Sequence, residues 1–161
     1  MIKRKFSCKI SNLNQNKKFG KIFSSFLKPG SIVCLEGEMG VGKTETARSI
    51  ISALCCEVLN VSSPSYNLMF SYKTINGENL NHYDFYRLNS YHEAINLNIL
   101  ENFYDSINII EWPEKINELL PKDYISILLL FDQKKENSRK IIVSGKKEII
   151  SQLQKKYEIT F

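Results

Sequence analysis

The chain has 161 residues, a formal net charge of +5 and 43% apolar residues, which is typical of a soluble globular protein. We therefore treat residues 1–161 as a single domain. No apolar run approaches the roughly 18 residues of a membrane span, and the N-terminus lacks the apolar stretch of a signal peptide. The four cysteines include no C-x-x-C pair, which favours reduced thiols. We expect a cytoplasmic protein without membrane association.

The spacing of apolar residues predicts alternating helices and strands along the chain. A continuous apolar run at 31–36 favours a strand buried on both faces, and Asn76-Gly77 favours a hairpin between two strand-like segments. The predicted strands are 5–10, 31–36, 58–61, 68–74, 79–85, 106–111, 125–131 and 139–143. The predicted helices are 17–27, 43–54, 91–104 in pieces, 113–120 and 146–156. This order predicts an α/β domain with a mainly parallel sheet, an antiparallel hairpin and flanking helices.

The segment GEMGVGKT, residues 37–44, matches the phosphate-binding pattern G-x-x-x-x-G-K-[ST]. Its glycines allow the backbone to approach a ligand closely, and its N–H groups at a helix start form a cradle for anions. Lys43 can reach the β- and γ-phosphates, and the Thr44 hydroxyl can coordinate Mg²⁺. A predicted strand precedes the segment and a predicted helix follows it, as the motif requires. The pattern therefore predicts a nucleoside-triphosphate site on a P-loop NTPase-like fold.

Besides the Thr44 hydroxyl, such a site needs a second magnesium ligand, normally an Asp at the end of a hydrophobic strand. ILLLFD, which ends in Asp132, fits that generic pattern best, although the residues after it favour a hairpin loop. SINIIE ends in Glu111, and HYDFYR contains Asp84 in a more polar segment. Periodicity alone does not choose among these three carboxylates.

Two further segments carry chemistry-bearing side chains. Glu111 ends an apolar strand just before Trp112, the single tryptophan, at the kind of strand end where α/β folds place their sites. SSPSY, residues 62–66, places hydroxyl groups around a proline some twenty residues after the loop. Segments at that distance often respond to the γ-phosphate.

Four segments, GEMGVGKT, SPSY, HYDFYR and IEW, together resemble the TsaE family of small P-loop ATPases. The family acts in bacterial tRNA threonylcarbamoyladenosine biosynthesis, and its pattern is G-[DE]-L-G-[AS]-G-K-T, S-P-T-[FY], H-x-D-x-Y-R and I-E-W. The resemblance spans nearly the whole chain. Glu38, Met39 and Ser65 stand where Asp, Leu and Thr are commoner, and Ser65 keeps the hydroxyl group.

The resemblance implies roles for individual residues. Asp84 becomes the magnesium-linked carboxylate in place of Asp132, and Glu111 becomes a candidate to position or activate the attacking water or to contact the metal. Lys43, Asp84 and Glu111 are the expected catalytic residues, and Thr44, Asp84 and Glu111 the expected metal residues. Residues expected to bind ATP are Gly37, Glu38, Met39, Gly40, Val41, Gly42, Lys43, Thr44, Thr46 and Trp112. Arg87 could contact phosphate, or it could pair with Asp84 or Glu111.

The resemblance also implies a biological setting. TsaE proteins hydrolyse ATP while docked on the complex of TsaD and TsaB, which modifies adenosine 37 of tRNAs that read ANN codons. Hydrolysis resets that complex between turnovers, so tRNA is an indirect partner. A small-molecule kinase built on the same loop is the main alternative, and a binding module without turnover is another. Direct RNA binding is disfavoured because the sequence has no aromatic–basic RNA motif.

Overall fold

The computed structural model describes residues 3–55, 60–135 and 137–160. The strands are β1 (Lys3–Ile10), β2 (Ile32–Glu36), β3 (Met69–Lys73), β4 (Asn79–Asp84), β5 (Ile107–Glu111), β6 (Ile125–Phe131) and β7 (Arg139–Lys146). The helices are α1 (Leu13–Ser24), α2 (Lys43–Leu54), α3 (Tyr91–Ile95), α4 (Ile99–Asp105) and α5 (Lys147–Thr160), with a 3-10 helix at Pro113–Ile116.

The strands of the described residues form one seven-stranded sheet in the order β1-β7-β6-β2-β5-β4-β3. The four central strands, β6, β2, β5 and β4, are parallel to one another. Two hairpins, β3–β4 and β6–β7, attach antiparallel strands to either side, and β1 pairs antiparallel with β7. The predicted α/β class and mainly parallel sheet are confirmed, and the antiparallel part is larger than the single predicted hairpin.

Alternate side chains of β2 enter two separate cores, one on each face of the sheet. Val33 and Leu35 pack with residues of α1, α2 and α5, whereas Ile32 and Cys34 pack with residues of α3 and α4. A strand covered on both faces has to be apolar throughout, which explains the continuous run that the sequence showed.

Several element boundaries differ from those predicted. α1 begins one turn earlier than expected, because the Asn12 side chain accepts a hydrogen bond from the Gln15 backbone N–H and caps the helix. The predicted helix 113–120 is only the short 3-10 helix. Residues 58 and 59 of the predicted strand 58–61 lie outside the described residues, and residues 60 and 61 are not in a strand.

Candidate functional site

The carboxyl ends of three parallel strands bring the predicted acidic residues together. Leu35 of β2 is the register partner of Glu111 of β5, which is in turn the partner of Asp84 of β4. The glycine loop continues directly from β2 and leads into α2. Both carboxylates therefore lie beside the loop, at the edge of the sheet where α/β folds bind their ligands.

The loop follows a path that requires glycine at its first position. Gly37 has a φ of 133°, and a Cβ atom on it would lie 2.4 Å from the Leu129 carbonyl oxygen. Any side chain would therefore clash with the backbone of β6 as well as strain its own backbone. Gly42 ends the loop with a φ of 109° and is the N-cap of α2, so the first backbone N–H groups of α2 face the loop.

Lys43 is buried at the start of α2, and its ammonium group is held by the loop itself. Its Nζ donates to the carbonyl oxygens of Gly37 at 2.7 Å and Glu38 at 2.8 Å. Burial lowers the pKa of Lys43, and the nearby carboxylates of Glu111, Glu114 and Asp84 partly offset that effect. The ammonium is thus fixed in position in a partly desolvated site, where its attraction for an anion is strong.

Glu111 is buried and has a partner on each carboxylate oxygen. The Thr44 hydroxyl donates to Oε2 at 2.9 Å, and the His82 Nε2 lies 2.9 Å from Oε1. His82 is fully buried on β4, the strand next to β5. These contacts orient the carboxylate toward the first turn of α2.

Asp84 is buried at the end of β4 and links this strand to the SSPSY segment. The Ser63 hydroxyl donates to its Oδ2 at 2.5 Å, and the Tyr86 backbone N–H donates to its Oδ1 at 3.0 Å. The Ser63 hydroxyl oxygen also accepts from the Ser65 backbone N–H at 3.2 Å. A movement of the SSPSY segment would therefore also move the Asp84 carboxylate or break its hydrogen bond to Ser63.

Trp112 has left-handed backbone angles, with a φ of 59°, which is rare for a residue with a large side chain. This conformation places its ring against Lys43, whose Nζ lies 3.8 Å from the ring centroid. The Tyr86 ring also packs against the Trp112 ring, and the two ring centroids are 5.0 Å apart. A strained backbone that places an aromatic ring over a buried ammonium is typical of a functional site.

The residues described so far enclose a cleft of about 350 Å³, which we call the loop cleft. It is lined by Met39, Gly40, Gly42, Lys43, Thr44, Ser63, Ser65, Asp84, Tyr86, Glu111 and Trp112. Eight of these are residues that the sequence predicted for the site. Two other predicted residues, Gly37 and Glu38, do not line this cleft, but their carbonyl oxygens accept hydrogen bonds from Lys43.

A second cleft of about 680 Å³ adjoins the loop cleft at Gly42, and we call it the α1 cleft. The predicted binding residues Val41 and Thr46 line it. The remaining lining residues come from the start of α1, from Glu45 and from β6, β7 and their surroundings: Ile10, Ser11, Asn12, Leu13, Asn14, Asn16, Leu129, Asn137, Arg139 and Ile141.

Asp132 and Arg87 lie away from the lining of both clefts. Asp132 is in the β6–β7 turn, where the Lys134 backbone N–H and the Lys9 ammonium hold its pKa below the usual range. The Arg87 guanidinium lies 4.1 Å above the exposed Tyr66 ring. The described residues give Arg87 no ion pair with Asp84 or Glu111, so neither predicted pairing is formed.

Sequence reasoning missed the contribution of His82, Tyr86 and the α1 cleft. Strand alternation puts His82 and Tyr86 on one face of the HYDFYR segment with Asp84, but only Asp84 was assigned to the site from the sequence. Only Val41, Gly42 and Thr46 of the α1 cleft were predicted, because its other lining residues come from segments far apart in the chain.

The oxygen donors of the loop cleft suit a hard cation. Two carboxylates and a hydroxyl, from Asp84, Glu111 and Thr44, line the cleft. The described part of the chain has no group of three or more His, Cys, Asp or Glu side chains that could hold a metal by itself. This donor set fits Mg²⁺, which proteins commonly bind through one or two carboxylates together with substrate phosphates.

The sheet order and the loop between β2 and α2 define a P-loop NTPase-like α/β protein. The structure is similar to a crystal structure of Bacillus subtilis YdiB, with a TM-score of 0.77 over 100% of this chain and 99% of that chain. The two sequences are 20% identical, so this comparison supports the fold.

Residues 10–141 match the family model described as "Threonylcarbamoyl adenosine biosynthesis protein TsaE". The chain is 38% identical to the TsaE protein of Rickettsia felis over 90% of this chain and 85% of that protein. It is 29% identical to the TsaE protein of Bacillus subtilis over 73% of each chain. The chain belongs to the TsaE family, whose proteins take part in tRNA threonylcarbamoyladenosine biosynthesis.

Proposed function

We propose that this chain binds and hydrolyses ATP in tRNA threonylcarbamoyladenosine biosynthesis, and that it acts on a TsaB–TsaD complex. One observation carries the ATPase proposal. Lys43, Thr44, Asp84 and Glu111 come from three separate segments of the chain and line a single cleft. A lysine, a hydroxyl group and two carboxylates are the groups that phosphoryl-transfer sites of this fold use.

The glycine loop and Lys43 would hold the phosphates. An ammonium group has three N–H donors, and the Gly37 and Glu38 carbonyl oxygens take two of them. The third donor and the backbone N–H groups at the start of α2 suit the β- and γ-phosphates. Trp112, which lies against Lys43, excludes water from that side of the ammonium.

Thr44, Asp84 and Glu111 would hold Mg²⁺, which supplies positive charge against the charge that develops on the phosphates. Glu111 accepts a hydrogen bond from Thr44, which is itself an expected metal ligand, so we place Glu111 beside the metal. From that place the carboxylate can also orient a water molecule for attack on the γ-phosphorus. The bond to the β–γ bridging oxygen breaks in that reaction, and ADP and phosphate leave.

Partner activation is supported by family membership and by the open rim of the loop cleft. Met39 is 61% exposed and Tyr86 is 42% exposed at this rim. Apolar side chains that line an open site can be covered by a docked protein. We expect the isolated chain to be a slow ATPase, and the TsaB–TsaD complex to complete its site while threonylcarbamoylation of adenosine 37 proceeds.

We also propose that the protein works in the cytoplasm. None of the helices in the described ranges is long and apolar enough to cross a membrane. Cys8 is a free thiol, which suits a reducing compartment.

ATP hydrolysis by the purified chain, alone and with the TsaB–TsaD complex of the same organism, tests the proposal. We expect slow turnover that the complex raises and that Lys43→Ala abolishes. ATP binding without any stimulation would refute partner activation and leave only the nucleotide site. Absence of ATP binding would refute the whole proposal.

The kinase alternative has less support. A kinase for a second phosphorylated substrate needs cationic side chains facing the transferred phosphate. None of the four arginines lines the loop cleft, and Arg48 and Arg139 donate to the Val61 and Val41 carbonyl oxygens.

A further inference from the structure

Two leucines of β6 form an apolar surface that belongs to neither core of the protein. Ile125, Ile127 and Leu129 pack in the core on one face of the sheet, so strand alternation directs Leu128 and Leu130 to the opposite face. Leu128 is half-buried and Leu130 is 38% exposed, and neither is part of the second core. This face of β6 is therefore open to another molecule.

The two leucines line an open groove of about 660 Å³, which we call the outer groove. Its apolar wall also contains Trp112, Pro113 and Tyr124. The outer groove adjoins the loop cleft, because Trp112 lines both of them. Apolar side chains grouped in an open groove are typical of a surface that binds a protein.

Carboxylates are the only charged groups among the described residues that line the outer groove, and they are Glu36, Glu38 and Glu114. Glu36 is the register partner of Leu128, so its side chain lies on the same face of the sheet as the two leucines. Within the described ranges, none of the three carboxylates forms a salt bridge. The chain as a whole has a net charge of +5, so the groove is a local negative region on a positive molecule and attracts cations.

The outer groove shares its wall with the groups that hold the Lys43 ammonium. Gly37 and Glu38 line the groove, and their carbonyl oxygens accept hydrogen bonds from the Lys43 Nζ. Trp112 also lines it, and its ring centroid lies 3.8 Å from the same Nζ. A molecule in the groove would therefore contact the residues that fix the ammonium beside the loop cleft.

We infer that the outer groove receives a segment of the activating partner protein in which arginine or lysine stands beside apolar side chains. This inference rests on the proposed function, and it adds where the partner docks and which chemistry it presents. Arginine and lysine pack their aliphatic stems on apolar surface and keep the charged group at its edge, which matches leucines flanked by carboxylates. Complementary charge of this kind speeds association and rejects partners of the wrong charge.

The test uses opposite charge changes at Asn117, which is exposed, lines the outer groove and has no place in the proposed ATP site. It measures the dissociation constant of the TsaB–TsaD complex of the same organism. Asn117→Lys should weaken binding by about 10-fold, because it places like charge against the cationic segment. Asn117→Asp should strengthen binding by about two- to fivefold, because it adds a carboxylate to the groove. Both variants alone should hydrolyse ATP at the wild-type rate.

Asn79→Lys and Asn79→Asp are the matched controls, because Asn79 is exposed at the start of β4, at the end of the sheet away from the loop cleft. Both should bind the complex within about twofold of wild type, since distant surface charges are screened by salt.

Leu130→Ser tests the apolar wall and should weaken binding by about three- to tenfold, because apolar contact area is lost. Ile75→Ser, an exposed change in the β3–β4 turn, is its control and should leave binding unchanged. The Asn117 pair decides the question even if Leu130→Ser does not fold.

The inference is overturned if Asn117→Lys and Asn117→Asp change the affinity in the same direction, or if neither changes it. Self-association of the wild-type chain that Asn117→Lys abolishes, with unchanged affinity for the complex, would also overturn it and assign the groove to a second copy. In these cases the complex still stimulates the wild-type chain, and the proposed function stands. A wild-type chain that the complex neither binds nor stimulates would refute partner activation and the inference together.

Discussion

Both oxygens of the Glu111 carboxylate are already engaged, one by the Thr44 hydroxyl and the other by His82. The group therefore has a fixed orientation before any substrate binds. Preorganised charge of this kind lowers a reaction barrier because the site does not reorganise during the reaction. At the residue scale, we propose that function depends on the charge of Glu111 and on the contacts that orient it.

Glu111→Gln keeps the shape and an acceptor for Thr44 but removes the negative charge. We expect the turnover number for ATP to fall by about 100-fold or more, because a neutral amide holds Mg²⁺ and orients the attacking water less well than a carboxylate. ATP affinity measured in EDTA should be unchanged. Glu118→Gln, an exposed change outside both clefts, serves as the control. If Glu111→Gln abolished ATP binding in EDTA, the carboxylate would instead maintain the loop through Thr44.

His82→Leu removes the group that contacts Glu111 Oε1. We expect the turnover number to fall by about 10- to 100-fold with little change in KM, as for residues that orient a ligand of a metal. His82→Gln should restore part of the activity, because its amide N–H can donate to the same oxygen. Equal losses in both variants, together with lower melting temperatures, would indicate a purely structural role.

At the element scale, apolar periodicity located most helices and strands, and local polar contacts set their ends. α2 and β6 have the predicted bounds, because the apolar pattern of each continues to its end. α1 begins earlier because its first turn, with the sequence LNQN, is mostly polar and is defined by the Asn12 cap. The end of a helix thus depends on one side-chain contact that the hydrophobic pattern does not report.

The contact between α1 and α2 depends on Gly20. A Cβ atom at this position would lie 2.6 Å from the Ser49 carbonyl carbon and oxygen. We expect Gly20→Ala to lower the free energy of unfolding by about 1–3 kcal/mol, because the two helices would have to separate. Lys21→Ala, an exposed change on α1, should stay within about 0.5 kcal/mol of wild type. Urea denaturation measures both, and an unchanged value for Gly20→Ala would show that the helices adjust freely.

At the scale of the whole molecule, the loop cleft and the α1 cleft join segments from both halves of the chain. The loop cleft depends on the neighbouring ends of β2, β5 and β4, and the α1 cleft depends on β7 lying beside β6. A ligand bound in the loop cleft would contact residues from several of these elements and stabilise the folded state.

We expect Mg-ATP at about 100 times its dissociation constant to raise the free energy of unfolding by about 2.7 kcal/mol. Thermal unfolding with increasing nucleotide concentration measures this effect. The melting temperature of Lys43→Ala should not respond to the nucleotide, because the variant lacks the ammonium group that we propose contacts the phosphates. A wild-type chain without any response would contradict the proposed site.

The sequence by itself determined the glycine loop, the elements around it and the family. Those features are local, since backbone conformation and apolar spacing act over a few neighbouring residues. Periodicity left Asp84, Glu111 and Asp132 as alternatives for the metal, and within the sequence only the family resemblance favoured Asp84 over Asp132. The tertiary structure placed Glu111 and Asp84 on neighbouring strands beside the loop and Asp132 in a hairpin turn held by Lys9. Strand order decides this, because residues far apart in the chain become neighbours only when the sheet assembles.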